Sequence, residues 1–129
     1  MTVRKPLKAA AITLFVIFCG LAVSALLLYW NNRRLQRADE ATFEMKADEV
    51  ERALPVGTPR AAVEDYAKIH DLDLFDDGSS NVSIRLQRIH SAQWYCGDWI
   101  GVVQLGFNSK SEKAPRTTTL RNISGGDCL

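Results

Sequence analysis

The chain has 129 residues, of which 47% are apolar and 24% charged, and a formal net charge of +1. Once an apolar N-terminal segment is set aside, about 90 residues remain by the usual size of a folded unit, enough for one small domain and too few for a second. The charge is divided: residues 1–37 hold Arg4, Lys5, Lys8, Arg33, Arg34 and Arg37 and no acid, whereas residues 38–129 hold ten Lys or Arg against fifteen Asp or Glu, a net of −5. That acidic balance argues against a nucleic-acid partner, which needs a basic face matched to phosphate.

Residues 1–8 read as a short cytoplasmic tail. From Ala9 to Trp30 the sequence runs 22 residues without a charge or a Pro. At about 1.5 Å per helical residue this reaches roughly 33 Å, enough to cross a hydrocarbon core of about 30 Å. The small residues Ala22-Val23-Ser24-Ala25 would suit a signal peptidase, but the apolar run continues through Leu26 to Trp30. It thus exceeds a signal h-region of about 7–15 residues, and an uncleaved anchor is expected. Tyr29 and Trp30 fall where interfacial aromatics sit, and Asn31-Asn32-Arg33-Arg34 stops the span. Basic groups on the two sides nearly balance. The short tail places the N-terminus in the cytoplasm and the folded part outside it, in the periplasm if the membrane is a bacterial inner membrane.

Residues 31–42 are expected to form a helical stalk, and residues 43–129 a small α+β domain. Phe43, Ala47, Val50 and Leu54 recur at i, i+4, i+7 and i+11, one apolar stripe on a charged helix. Pro55-Val56-Gly57 ends that helix. A second helix follows, with Thr58 as its predicted N-cap and Pro59 at its first position. Val63, Tyr66, Ala67 and His70 share a face, and Glu64 with Lys68 forms an i, i+4 pair outside. Asp71 to Phe75 reads as a short extended segment, and Asp76 to Asn81 as a turn-rich loop. Three strands are predicted over 82–89, 99–107 and 116–123 by alternation and β-branching. Helices segregated from consecutive strands give an α+β fold: two helices packed on a three-stranded antiparallel sheet.

Cys96 and Cys128 are the thiols beyond the apolar run, and an even pair in an exported domain reads as a disulfide. In the chain-entropy account such a link over about 32 residues contributes roughly 3–4 kcal/mol. Two unrelated buried thiols are the bland alternative. Trp94, Tyr95 and Trp99 cluster around Cys96 as core packing or as a candidate binding surface.

The chemistry-bearing patterns are sparse. An EF-hand loop begun at Asp73 would put Phe75 at position 3 and Ile84 at position 12, which fails, so the acid-rich stretch from Asp39 to Asp77 reads as a solvated face. His70 and His90 lack zinc-ligand spacing, and there is no Gly-rich phosphate loop. No catalytic residue, metal site or cofactor is therefore predicted. The expected role is a non-catalytic interaction module that partners the lipid bilayer and another envelope protein. Two other roles are compatible with these residues: an inhibitor or immunity-type protein blocking an envelope enzyme or toxin, and a thiol or hydrolytic enzyme using Cys96.

The stretch Leu54-Pro55-Val56-Gly57-Thr58-Pro59-Arg60-Ala61-Ala62-Val63 resembles the opening of small bacterial envelope domains of the SmpA/OmlA (BamE-like) family. There a Leu-x-x-Gly turn leads into a Thr- or Ser-capped helix with Val six residues after the Gly. The resemblance implies two helices followed by a three-stranded antiparallel sheet, and an envelope compartment. It assigns no functional residue.

Overall fold

The computed structural model describes residues 4–76, 78–93, 95–125 and 128. Residues 1–3 of the predicted tail lie outside them, as do Asp77 and Trp94. Helix α1 runs unbroken from Arg4 to Ala53, so tail, span, stalk and the stripe-bearing segment are one helix. At about 1.5 Å per residue it is roughly 75 Å long. Its N-terminal part is long and apolar enough to cross a membrane, and among the described residues no other element buries it. The large apolar side chains from Leu7 to Trp30 are exposed. The few hydroxyls there are satisfied within the helix, Thr13 donating to the Ala9 carbonyl and Ser24 to that of Gly20.

Helix α2 spans Arg60–Ile69, and strands β1 (Asp73–Asp76), β2 (Asn81–Ile89), β3 (Trp99–Phe107) and β4 (Arg116–Ser124) follow. The strands form one antiparallel meander in the order β1-β2-β3-β4. The sheet thus has four strands and not the expected three. The segment read as merely extended pairs along its whole length with β2, from Asp73 opposite Arg85 to Asp76 opposite Val82. Two acids in four residues give it little strand propensity of its own; the ladder of β2 supplies its structure.

The helices do not lie side by side across the sheet. The C-terminal part of α1 packs on β2 and β3, whereas α2 meets β1 at the edge. Phe43, Ala47, Val50 and Leu54 are all buried, joined in the core by Val63, Val82, Ile84, Ile89, Val103 and Leu105. A bulge at Leu86, between Arg85 and Gln87, shifts the phase of β2 and returns Ile89 to the buried face. Gly101 lies directly beneath Phe43: a Cβ there would sit 2.4 Å from the Phe43 ring, so the close approach of helix to sheet needs glycine.

The turn between the helices is fastened to the start of β4. The Gly57 amide donates to the Arg116 carbonyl at 2.9 Å, and the Arg116 amide to the Thr58 carbonyl at 2.8 Å. Gly57 has φ +94°, the left-handed region expected of a residue closing a helix. Thr58 is not the N-cap, because its hydroxyl donates back to the Pro55 carbonyl at 2.6 Å. Pro59 occupies that position without a side-chain bond. The free amides of α2 are met instead by the β3–β4 loop, Arg60 donating to the Ala114 carbonyl at 3.1 Å and Ala61 to that of Glu112 at 3.0 Å. Glu64 pairs with Arg60 at 3.5 Å, in place of the expected Lys68.

Candidate functional site

Register places every strand residue on one of two faces. Toward the helices point the rows Asp76-Val82-Leu105-Thr119 and Leu74-Ile84-Val103-Arg121. Away from them point Phe75-Ser83-Gln104-Leu120 and Asp73-Arg85-Val102-Asn122. The second face is covered by no element of the described residues, and the two ends of its first row are apolar and open, Phe75 at 47% and Leu120 at 58% exposure. The Arg85 guanidinium lies 4.7 Å from the Phe75 ring centre and 3.6 Å from the Asp73 carboxylate, a cation held over an aromatic at the sheet's edge.

On the helix side, charge fixes the sheet to α1. Arg121 donates through Nε to Glu51 at 2.9 Å, through Nη2 to Asp48 at 2.6 Å, and through Nη1 to Glu44. Three carboxylates hold this guanidinium firmly charged, Glu51 foremost. In return the Arg121 hydrogen bond keeps the Glu51 carboxyl below its ordinary range. Arg60 and Arg116 are buried. Arg60 contacts Asp76 and lies 5.9 Å from the Phe107 ring centre, while Arg116 donates to the Leu54 carbonyl at the C-terminal end of α1 and to the Thr119 hydroxyl. Much of the acid-rich stretch read as a solvated face is therefore occupied by arginine. Among the described residues no group of three His, Cys, Asp or Glu is placed to hold a metal ion.

The end of the sheet nearest the apolar helix carries the third cluster. Cys96 and Cys128 are joined by a disulfide. Its sulfur so engaged, Cys96 offers no thiol to either histidine. Six residues before Cys96, His90 is bound to Asp39 of α1 twice, its amide at 3.0 Å and its Nδ1 at 2.7 Å from the same carboxylate oxygen. The ring's bond to Asp39 raises the His90 pKa, and the bonds from His90, its backbone amide first, lower that of Asp39. Ala92 donates its amide to Gln36 Oε1 at 3.2 Å. The domain thus grips α1 at Gln36 and Asp39, within the segment read as a stalk.

Of the predicted aromatic surface, Trp94 lies outside the described residues. Tyr95 is 40% exposed, and Trp99 is half-buried against the core beneath Gly125. His70 stacks on Tyr66 with ring centres 4.2 Å apart. The residues that organise both faces, Arg121, Phe75 and Leu120, escaped sequence reading. A signal for Arg121 was present, since counting back by twos from Ile123 puts it on the apolar face. Comparisons with family models, with curated proteins and with solved structures gave no match to this chain.

Proposed function

We propose that this chain is a single-pass protein of the bacterial inner membrane whose α+β domain faces the periplasm. There it acts as a non-catalytic interaction module and binds another envelope protein through the uncovered face of its sheet. The exposed row ending in Phe75 and Leu120 carries this reading, because an apolar pair flanking polar Ser83 and Gln104 on an open sheet is the composition of a modest docking patch. Support for the compartment comes from the uncovered apolar helix and from the Cys96–Cys128 disulfide, a bond that persists in oxidising surroundings. The likeness of the Leu54–Val63 turn to SmpA/OmlA-type envelope domains points the same way.

The test is photo-crosslinking in cells that produce the full chain, with the reactive residue placed at Leu120 or, as a comparison, at exposed Met45 on α1. A discrete protein adduct at Leu120 that is absent at Met45, and that disappears with Phe75→Glu, is the expected result. No adduct at Leu120, or equal adducts at both positions, would sink the docking-face reading.

A further inference from the structure

We infer that the loop between β2 and β3, residues 90–98, is a membrane-contacting element: it rests in the phospholipid headgroup layer of the bilayer that α1 crosses, seating the domain on the lipid. The inference rests on the membrane-spanning reading of α1 and goes beyond it.

Helix α1 serves as a depth gauge. It leaves the apolar run at Tyr29 and Trp30, and a headgroup layer is about 5–7 Å thick on each side of the hydrocarbon core. At about 1.5 Å per residue, Asn31 to Arg34 lie within that layer. The loop descends along the helix toward this level. His90 is fastened at Asp39 and Ala92 at Gln36. Ala92 then joins Ala25, Leu28, Tyr29 and Asn32 in walling a cavity of about 290 Å³. Three of those four helix residues belong to the apolar run, so the loop and the span share one surface. A side chain facing that surface faces lipid wherever Leu28 does.

The loop's composition suits the place. Between His90 and Asp98 there is no Lys or Arg, and Asp98 is the sole carboxylate, whereas the β3–β4 loop at the other end carries Lys110, Glu112 and Lys113. Tyr95 is exposed on it, a residue type enriched at lipid–water boundaries. On the neighbouring helix surface, Arg33, Arg34 and Arg37 line a second cavity with Tyr29, Trp30 and Asn31. Those guanidiniums supply the charge that lipid phosphates require. The disulfide ties the loop to Cys128.

The opposite end of the domain gives an internal control. Leu54, just past the end of α1, accepts a hydrogen bond from Arg116 and stands 18 residues beyond Gln36, roughly 27 Å further from the bilayer by the helical rise. The β3–β4 loop that caps α2 lies at that far end.

The experiment places a benzophenone-bearing residue singly at Trp30, Gln93 and Lys110 in the full chain, reconstituted into vesicles of phosphatidylethanolamine and phosphatidylglycerol. Illumination is followed by mass spectrometry for lipid adducts. Lipid adducts at Trp30 and Gln93 and none at Lys110 are expected. Adducts at Trp30 without any at Gln93 would overturn the loop's role and leave the membrane span standing. Adducts at all three positions would overturn it as well, because the contact would not belong to the loop. Absence at all three, Trp30 included, would overturn the membrane-spanning reading and this inference with it.

Discussion

At Gly101 a single hydrogen atom decides how closely helix and sheet can approach. Phe43 is wholly buried over this position, and a methyl group would sit 2.4 Å from its ring. At that distance one of the two must shift, and Ala47 and Val103, the next residues along the same faces of helix and strand, are buried as well. Gly101→Ala should therefore destabilise the domain by about 1–3 kcal/mol, the range for overpacked cores. Thermal denaturation in detergent followed by circular dichroism would show it. Combining it with Phe43→Leu should recover part of the loss, because the smaller side chain vacates the space the methyl needs. If Gly101→Ala alone melts like the parent, the close approach is not holding helix to sheet.

Among the elements, the apolar stripe of α1 was legible in sequence because its period is local: each of Phe43, Ala47, Val50 and Leu54 can be placed knowing only the residue before it. Strand β1 was not, since Asp73-Leu74-Phe75-Asp76 becomes a strand through pairing with a partner about ten residues away. The loop-to-helix contact was equally hidden. His90 and Asp39 are 51 residues apart, and nothing local marks either as half of a pair. That pair predicts a pH response. The Asp39 hydrogen bond, with help from Asp98 and against Arg88, raises the His90 pKa above its ordinary 6.5. Its stabilisation is complete below that value and is lost as pH rises through the folded-state pKa. Asp39 is lowered from 3.8, so its share is present above that value and lost as pH falls through the folded-state pKa. The loop should thus be held best between about pH 4 and 6.5, the interval set by the two ordinary values. Amide exchange at residues 90–93, corrected for the intrinsic rate, should be slowest in that window. His90→Gln should flatten its alkaline side; an unchanged profile would refute the clasp.

For the molecule as a whole, the arrangement is a long helix whose large apolar side chains stand exposed over its first part, among the described residues, and which a four-stranded sheet covers over its last. The division of charge between residues 1–37 and the rest of the chain foreshadowed this plan, and the two distant cysteines foreshadowed the staple. What composition could not convey is where along the helix the domain begins to grip. That is set at Gln36 and Asp39 by backbone amides of a loop, groups that every residue but proline has and that carry no mark in the sequence.

The claim on which the account turns is that the helix anchors a stapled domain outside the cytoplasm. It is tested most directly by tagging thiols in denatured, acid-quenched membranes with a mass-shifting maleimide, with and without prior reduction. Wild type should take one tag, at Cys19, before reduction and three after it, since Cys96 and Cys128 are paired. Cys128→Ser should free Cys96, so that two tags appear without reductant, and should lower stability by roughly 3–4 kcal/mol, as a link closing a loop of this length implies. Three tags on unreduced wild type would contradict the account: the pair would be open in the cell, and the domain would belong on the reducing, cytoplasmic side of the membrane.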